Sequence, residues 1–360
     1  MNQDSADGPR SDRGLSDQFV PLTGPAVPGG AQLTIYDVAR AAGVAPSTVS
    51  RALSKPGRVS YKTAERVRRV AEELGYRTGR MERSVSERGT GVLAIVVADI
   101  ANPVFFGMIR GAERAASDRG FTMLVVESQE SESAERSALD RLIPVVDGVV
   151  LGSSRMSDAT IRSLAKRKPI ILLNRTVSEV SSVVIDDVHA IKKAAEHLTG
   201  LSHRSICYLA GPEAAWPDGM RWRGLREAGL ELDIQVRRLG PFLPTMRGGA
   251  AVAEQWLQKP TTAVIAYNDL MAIGFIQAVT AAGFNVPGDV SVIGFDNILD
   301  GTLVEPHLTT IAAPLVSLGS AAVARLVRTG QRERGRAGEE PVLLPARLVV
   351  RGSTGPRRTG

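Results

Sequence analysis

The chain has few of the residues that build disulfides and metal sites. Its 360 residues include one cysteine and four histidines. A single cysteine excludes an intrachain disulfide and a cysteine-rich metal site. Cys207, between Ile206 and Tyr208, is interpreted as a small residue in a buried strand. Among the histidines only His197 and His203 resemble a pair, and we interpret them as surface and loop residues. We therefore expect no metal.

Long apolar runs are also absent. No run approaches the ~18 residues that a membrane span needs. The first residues lack the charged start and apolar stretch of a secretion signal. Both absences favour a cytoplasmic protein with no membrane partner. Aromatic residues make up only 4% of the chain, so Val, Ile, Leu and Ala must fill the core.

The positive charge is concentrated in one short segment. Residues 33–90 carry 12 Lys and Arg against 6 Asp and Glu, a surplus of +6 that equals the net charge of the whole chain. A compact basic segment is typical of a protein that binds phosphate groups. A solvated basic face without a partner would carry the same charge, so charge alone does not choose between a nucleic-acid ligand and none.

The hydrophobic pattern divides the chain into regions. Residues 1–32 are rich in Gly, Pro, Ser and Asp and lack apolar periodicity, which predicts a disordered tail. Residues 33–78 have a helical pattern in three short pieces. A short linker, 79–90, leads to a long region, 91–350, with a different pattern. Residues 351–360 are predicted to be a second disordered tail.

Beyond Gly91, apolar runs alternate with helical patterns. The run Val92–Val97 has no polar interruption, which is typical of a strand buried on both faces. Such alternation predicts parallel sheets covered by helices, and the strands are too many for one comfortable sheet, so we expect two subdomains. The predicted strands are 92–97, 122–126, 148–152, 170–173, 183–185, 205–210, 263–266, 291–295 and 341–350. The predicted helices are 103–119, 133–144, 158–167, 188–199, 219–229, 247–258 and 269–282.

Polar residues follow several of the predicted strands. Folds of this kind bind ligands beyond the carboxyl ends of their parallel strands. The clusters in these places are 99–102, Asn174-Arg175, Asp186-Asp187, Asn268-Asp269 and Asp296-Asn297.

The segment Ile35–Leu53 has the pattern of a helix-turn-helix. Ala39 is small enough for two helices to cross closely, and Gly43 tolerates the positive φ of a short turn. The outward positions of the second helix are Ser47, Thr48, Ser50 and Arg51. Short polar side chains let a helix enter the major groove, and Arg can bond a guanine edge twice. A third helix is predicted over 60–74, with Ser60 as its cap. A small helical bundle for protein contacts is the alternative.

Several motifs resemble the lactose-repressor (LacI/GalR) family. Dense matches are Thr34-Ile35-Tyr36-Asp37-Val38-Ala39, Gly43-Val44, Ser47-Thr48-Val49-Ser50-Arg51 and Glu73-Leu74-Gly75-Tyr76. Thinner matches continue to about Arg351 and include Asn102-Pro103, Val146-Asp147-Gly148, Ala210-Gly211-Pro212, Ile293-Gly294-Phe295-Asp296 and Leu308-Thr309-Thr310-Ile311. The resemblance implies an all-α DNA-binding domain followed by an α/β domain that is similar to periplasmic binding proteins and consists of two parallel-sheet lobes.

The resemblance also implies residue roles on DNA. Ser47, Thr48 and Arg51 would read base edges, and a second group would contact phosphates or support such contacts. That second group is Tyr36, Ser50, Ser60 and Thr63. The family's hinge corresponds to Arg80–Val85, where Val85 stands in place of a leucine that wedges the minor groove. Gly79, Glu82 and Val85 depart from the pattern, so we expect a weaker hinge or a different central base step.

In the second domain the resemblance implies a ligand between two lobes. Lobe 1 would comprise about 91–187 and 313–330, and lobe 2 about 188–312 and 340–350. The chain would cross between them near 186–188, 310–314 and 330–342. The implied effector-binding residues are Phe105, Arg221, Asn268 and Asp296. Weaker candidates are Asn102, Asn174, Arg175 and Trp216.

Each of these residues has a structural alternative. Arg221 could be a surface helix residue, and Asp296 could cap a turn. Phe105 and Phe106 are adjacent, so we expect at most one in the cleft and the other in the core. Trp222 is predicted to pack in the core. Asp186 and Asp187 are predicted to lie at a crossover and not to form a catalytic pair of carboxylates. Gly248-Gly249 is predicted to be a loop or the start of a helix.

These expectations combine into a functional hypothesis. The chain would be a homodimeric repressor of carbohydrate or related catabolic genes that reads a palindromic operator and responds to a sugar or nucleoside effector. An enzyme is the second hypothesis, but the sequence has no G-x-S-x-G, Walker loop or metal-ligand cluster, so we expect neither catalysis nor a cofactor. A purely architectural DNA binder would not need the long second domain.

Overall fold

Three short helices form the first of two units in the structure. The computed structural model describes residues 34–54, 59–74, 89–331 and 340–358, and the two units divide after Arg83. The predicted tail 1–32 and most of the predicted hinge lie outside the described residues. The helices are α1 (Ile35–Ala42), α2 (Pro46–Ser54) and α3 (Tyr61–Glu73). Their shared buried core consists of Val38, Ala39, Ala42, Val49, Ala52, Val67 and Ala71.

Local sequence explains where α1 begins and ends. The Asp37 carboxylate accepts hydrogen bonds from the backbone N–H of Thr34 at 2.9 Å and from its hydroxyl at 2.7 Å, which fixes the first turn. Gly43 ends the helix with φ of 63°, a left-handed conformation that Gly adopts without steric cost. The turn into α2 therefore forms where the sequence predicts it.

The second unit contains two six-stranded sheets, each of which defines a lobe. Sheet 1, in lobe 1, is entirely parallel, and its spatial order is β11 (Val342–Leu344), β5 (Ser182–Ile185), β4 (Ile170–Leu173), β3 (Gly148–Gly152), β1 (Val92–Val97) and β2 (Thr122–Glu127). Sheet 2, in lobe 2, has the order β12 (Arg347–Val349), β10 (Thr309–Ala312), β9 (Ser291–Phe295), β8 (Ala263–Ala266), β6 (Ser205–Leu209) and β7 (Gln235–Leu239). Only β12 pairs antiparallel in these sheets. The predicted fold class is confirmed.

Helices connect the strands and cover the sheets. They are α4 (Val104–Ser117), α5 (Glu132–Leu142), α6 (Asp158–Arg167), α7 (Asp187–Gly200), α8 (Trp216–Glu231), α9 (Met246–Leu257), α10 (Asp269–Ala281), a 3-10 helix (Leu299–Thr302) and α11 (Leu315–Gln331). In lobe 1, α4 packs on α11 at Gly319, where an added Cβ would lie 2.0 Å from the Met108 carbonyl oxygen. Glycine therefore sets how closely these helices approach. The pair Gly248-Gly249 lies in the first turn of α9, at a helix start as predicted.

The chain passes between the lobes three times. The first two passages, at Asp186 and at 313–314, agree with the prediction. The third was expected near 330–342 but lies at 345–346, and the single strand predicted over 341–350 is two strands in different sheets. Pro345 explains the break, because proline has no N–H to donate to a strand and stops β11. Residues 342–344 therefore belong to lobe 1 and not to lobe 2.

The C-terminal segment 351–358 is an ordered part of lobe 2, and the frayed end predicted from residue 351 is wrong for these residues. Ser353 is fully buried; its hydroxyl accepts the Thr309 N–H and donates to the Val292 carbonyl, both at 2.7 Å. His203, interpreted from sequence as a surface or loop residue, is only 2% exposed. Its Nε2 contacts Ser291 Oγ at 3.0 Å and the Gly355 carbonyl at 3.1 Å. Burial lowers the pKa of His203.

The helices of the described residues include none that is long and apolar enough to cross a membrane.

The core is built as the composition predicts, mainly from Val, Ile, Leu and Ala. Cys207 is fully buried in β6, as predicted, and burial raises the pKa of its thiol to about 11.

Replacing Ser353 with alanine tests the importance of the C-terminal segment. Ser353→Ala leaves the buried Thr309 N–H and Val292 carbonyl without this partner, so we expect the free energy of unfolding to fall by about 2 kcal/mol. Arg358→Ala is the control, because its ion pair with Asp289 is exposed and should contribute little to stability. Urea denaturation measures both variants. Equal unfolding midpoints would contradict a structural role for the segment.

Candidate functional site

The second helix of the first unit separates a buried face from a polar face. Val49 and Ala52 point into the core. On the other side, Ser47 and Arg51 are exposed, and Thr48 is half-buried. This arrangement leaves a row of short polar side chains and one guanidinium available to a ligand.

Further candidate DNA-contacting residues surround this helix. Tyr36 is 65% exposed, and Ser50 is half-buried. The hydroxyls of Ser60 and Thr63 lie 2.8 Å apart at the start of α3, and the Thr63 N–H donates to Ser60 Oγ at 3.4 Å. Ser60 thus caps α3, as predicted. The hinge candidates Arg80 and Val85 lie outside the described residues.

The four predicted effector-binding residues line one pocket in the second unit. Phe105 approaches it from lobe 1, and Arg221, Asn268 and Asp296 approach it from lobe 2. Of the weaker candidates, Asn102 and Asn174 also line the pocket. Arg175 and Trp216 do not. Arg175 instead bonds the Ser154 and Met156 carbonyls and the Asp158 carboxylate.

Arg221 is the most constrained of these side chains. Its Nε donates to Asp187 Oδ1 at 2.9 Å, and Nη1 donates to the Tyr267 carbonyl at 2.5 Å. The guanidinium also lies 3.5 Å from the centre of the Phe295 ring. The residue is 3% exposed, so the surface-helix alternative is excluded. Burial opposes its charge, but Asp187 and Asp296 raise the pKa of Arg221 above its usual value.

The paired aspartates at the first passage have separate partners. Asp186 Oδ1 accepts the His189 N–H at 3.1 Å and caps α7. Asp187 is buried against Arg221, and one of its oxygens, Oδ2, has no hydrogen-bond partner among the described residues. Burial raises the pKa of Asp187, and the Arg221 guanidinium opposes that rise. Both aspartates therefore have structural contacts at the crossover.

Backbone strain concentrates around the pocket. Four lining residues have positive φ: Glu130 (56°), Ser153 (64°), Asn174 (51°) and Asp296 (111°). They follow β2, β3, β4 and β9 at the carboxyl ends. Left-handed conformations cost non-glycine residues on the order of 1–3 kcal/mol and cluster at functional sites. The strained positions thus support a binding role for this edge of both sheets.

Asn268 and Asp296 differ in the number of hydrogen bonds that their side chains already make within the protein. Asn268 caps α10 by accepting the Met271 N–H at 2.9 Å, and its amide donates to the Pro244 carbonyl at 3.0 Å. Asp296 is 7% exposed, and its carboxylate has no ion pair or hydrogen bond among the described residues. Burial raises the pKa of Asp296 well above its usual value, and Arg221 opposes this rise. Asp296 is therefore the stronger candidate for contact with a ligand.

The sequence interpretation missed several lining residues. Arg155 and Glu130 form an ion pair of 2.5 Å at the pocket, and Ser153 and Tyr267 line it as well. All four follow a strand's carboxyl end, which is the signal that could have found them. Phe106 was expected in the core if Phe105 faced the cleft, but it is 53% exposed. The helix α4 turns it outward, away from the sheet.

Comparison with known proteins agrees with this arrangement. Residues 34–79 match the bacterial regulatory proteins of the lacI family, and residues 195–354 match a periplasmic binding protein-like domain. The HTH-type transcriptional regulator DegA of Bacillus subtilis is 33% identical over 339 residues, which cover 91% of this chain and 99% of DegA. The chain belongs to the LacI family.

Solved structures of the family have the same fold as this regulator. The lac repressor dimer bound to operator and an anti-inducer is 26% identical and has a TM-score of 0.73; the match covers 90% of this chain and 100% of the repressor chain. A LacI family transcriptional regulator from Enterococcus faecalis with bound ribose is 29% identical and has a TM-score of 0.68; the match covers 74% of this chain and 100% of that regulator chain. These relatives are regulators, so the regulator hypothesis is confirmed over the enzyme hypothesis.

A third buried carboxylate lies next to the pocket. Asp269 follows Asn268 and is fully buried. Burial raises the pKa of Asp269 to about 7, although hydrogen bonds from Thr310 and from the backbone of Ile298 oppose that rise. The folded chain therefore keeps a proton on this group at pH values where the unfolded chain has released it.

The stability difference between wild type and Asp269→Asn should depend on pH. Between about pH 4 and pH 7 the folded wild type binds more protons at Asp269 than the unfolded chain does, so its stability falls as the pH rises. The variant has no such group, and the wild type should lose on the order of 1 kcal/mol relative to it per pH unit. Urea denaturation at pH 5, 6, 7 and 8 measures this. A constant difference would contradict the raised pKa.

Proposed function

We propose that this regulator represses carbohydrate or related catabolic genes and that a neutral, hydroxylated small molecule in the pocket controls its affinity for operator DNA. The charge balance of the pocket carries the proposal. Arg221 pairs with Asp187, and Arg155 pairs with Glu130. Among the described lining residues, Asp296 is the acidic side chain that has no salt-bridge partner.

This balance favours ligand hydroxyl groups over anionic groups. A buried carboxylate needs hydrogen-bond donors, and sugar hydroxyls supply them. A phosphate or carboxylate ligand would meet the unpaired Asp296 and two guanidiniums that already have partners. Asn174 Oδ1 is also buried, has no hydrogen-bond partner in the described part of the chain, and could accept a further ligand hydroxyl.

The aromatic surroundings favour a sugar over a nucleoside. The Arg221 guanidinium already covers the Phe295 ring and lies 4.9 Å from the centre of the Tyr267 ring. Phe105 is the lining aromatic residue of lobe 1; it is 4% exposed, so we expect the apolar face of a sugar ring to pack on it once the lobes separate. The ribose bound by the Enterococcus relative supports the same class.

The size of the cavity implies that the lobes move. Its free volume of about 40 Å³ holds only a few water molecules. A sugar ring needs more space, so entry requires the lobes to separate at the three crossings. Effector occupancy would then select between open and closed arrangements of the second unit.

The polar face of α2 supports operator recognition. In the proposal Ser47, Thr48 and Arg51 contact base edges, while Tyr36, Ser50, Ser60 and Thr63 contact phosphates. The hinge residues Arg80 and Val85 would contribute near the minor groove. We propose a homodimer that reads a palindromic operator, because two recognition helices one DNA turn apart match two half-sites.

Operator selection followed by an effector screen tests the whole proposal. The operator is selected from a pool of genomic fragments, and its affinity is measured with D-ribose, D-galactose, cellobiose, adenosine or cytidine present. We expect one sugar to change the affinity and binding to weaken steeply with salt. A response to a nucleoside alone would favour that class instead. No binding to duplex DNA at low salt would overturn the regulator proposal.

Arg51→Ala tests base reading. Loss of a bidentate contact to guanine should cost about 1–3 kcal/mol at one base pair and relax the preference there. Arg69→Ala is a matched control on α3, where the side chain is exposed and contacts Glu73. Affinities for operators with single substitutions measure the effect. If Arg51→Ala weakens binding to every sequence equally, the residue contacts phosphate rather than a base.

Asp296→Ala tests the pocket. The variant should bind operator as the wild type does but lose the response to the sugar found in the screen, because the unpaired acceptor is gone. We expect effector affinity to fall at least about 10-fold, which corresponds to roughly 1.4 kcal/mol. Asp289→Asn, on the surface of the same lobe, is the control. A retained response in Asp296→Ala would exclude the residue from the site.

A further inference from the structure

Asp269 makes contacts that the pocket itself does not explain. It begins α10, is fully buried and does not line the pocket. Its Oδ1 accepts a hydrogen bond from the Thr310 hydroxyl at 2.5 Å, and its Oδ2 accepts one from the Ile298 N–H at 2.9 Å. One carboxylate therefore joins the start of a helix, a loop and a strand.

The loop that Asp269 holds carries Asp296. Asp296 and Asn297 have φ of 111° and 61°, so two consecutive non-glycine residues are in unfavourable conformations. Such strain persists only where the surroundings fix the backbone. The fixed points are the Asp269–Ile298 bond, the bond of 2.9 Å from the Asp296 N–H to the Ile311 carbonyl, and the bond of 2.6 Å from the Arg351 side chain to Asn297.

The neighbouring strand leaves space for this carboxylate. Gly294 lies in β9, two residues before Asp296, and an added Cβ there would lie 2.1 Å from Asp269 Oδ1. The absence of a side chain at this position therefore lets the carboxylate reach Thr310. Thr310 belongs to β10, which leads at 313–314 into lobe 1.

We propose that Asp269 is a positioning residue that holds Asp296 in its effector-binding conformation and ties the Asp296 loop to the strand entering the second crossing. The inference rests on the proposed role of Asp296 as an effector contact. Asp269 itself does not touch the effector. Its carboxylate acts through the Ile298 N–H and the Thr310 hydroxyl.

Hydrogen–deuterium exchange of the free, full-length protein tests this role without any effector. In Asp269→Ala the amides of Asn297 and Ile298 should exchange at least about 10-fold faster, because their anchor is lost. Asp269→Asn retains one oxygen that can accept the Ile298 N–H, so its exchange should lie between wild type and Asp269→Ala. Thr310→Val should also speed exchange in the loop, because it removes the donor that fixes Asp269.

Ser291→Ala is the matched control. Ser291 is fully buried at the other end of β9, and its hydroxyl bonds the Gly355 carbonyl at 3.1 Å. The control should lower the melting temperature as the Asp269 variants do, yet leave exchange in peptides covering 294–300 unchanged. Unchanged exchange in Asp269→Ala, or equal acceleration in Ser291→Ala, would overturn the positioning role.

A binding measurement separates this inference from the proposed function. D-ribose is titrated into wild type and Asp269→Asn by calorimetry, and we expect at least about a 10-fold weaker affinity in the variant. Equal affinities would contradict the positioning role. If D-ribose does not bind the wild type, that result bears on the proposed effector, and the exchange data alone decide the role of Asp269.

Discussion

A buried guanidinium ties together the elements that form the lobe 2 side of the pocket. Arg221 projects from α8, bonds Asp187 at the first crossing and the Tyr267 carbonyl after β8, and covers Phe295 at the end of β9. A charge buried to this extent is tolerated only when it is paired and hydrogen-bonded. These elements must therefore keep their mutual positions for the site to exist.

Parallel strands explain why the site lies at one edge of each sheet. All carboxyl ends of such strands point the same way, so the loops that follow them converge. Glu130, Ser153, Asn174 and Asp296 have positive φ at these loops, while the strands before them are regular. The paired strands fix the backbone that leads into each of these loops, and strained conformations persist where the surroundings fix the backbone in this way. The Asp269 carboxylate adds a side-chain anchor of the same kind.

The first unit buries one face of α2 with small apolar residues and leaves its other face polar. Among its described residues, the buried core positions are all Val or Ala, which keeps three short helices close together. The polar face of α2 is then left with small side chains and Arg51, as groove recognition requires. Burial on one face and availability on the other come from the same nine-residue helix.

Local sequence patterns alone determined the helix-turn-helix, the buried strands and the positions of several candidate site residues. The turn at Gly43, the buried strands of Val and Ile, and the family motifs around Arg51, Asn268 and Asp296 are readable because each depends on neighbours only a few residues away. The tertiary structure decided the rest. His203 is buried because Ser291, far along the chain, bonds its ring. Residues 351–358 are ordered because Ser353 accepts a hydrogen bond from the Thr309 N–H, more than 40 residues away. The segment β7 is a strand despite Arg237 and Arg238 because it pairs with the edge of the sheet at β6. Burial of a polar residue depends on whether a distant hydrogen-bond partner reaches it, and no local periodicity encodes that distance.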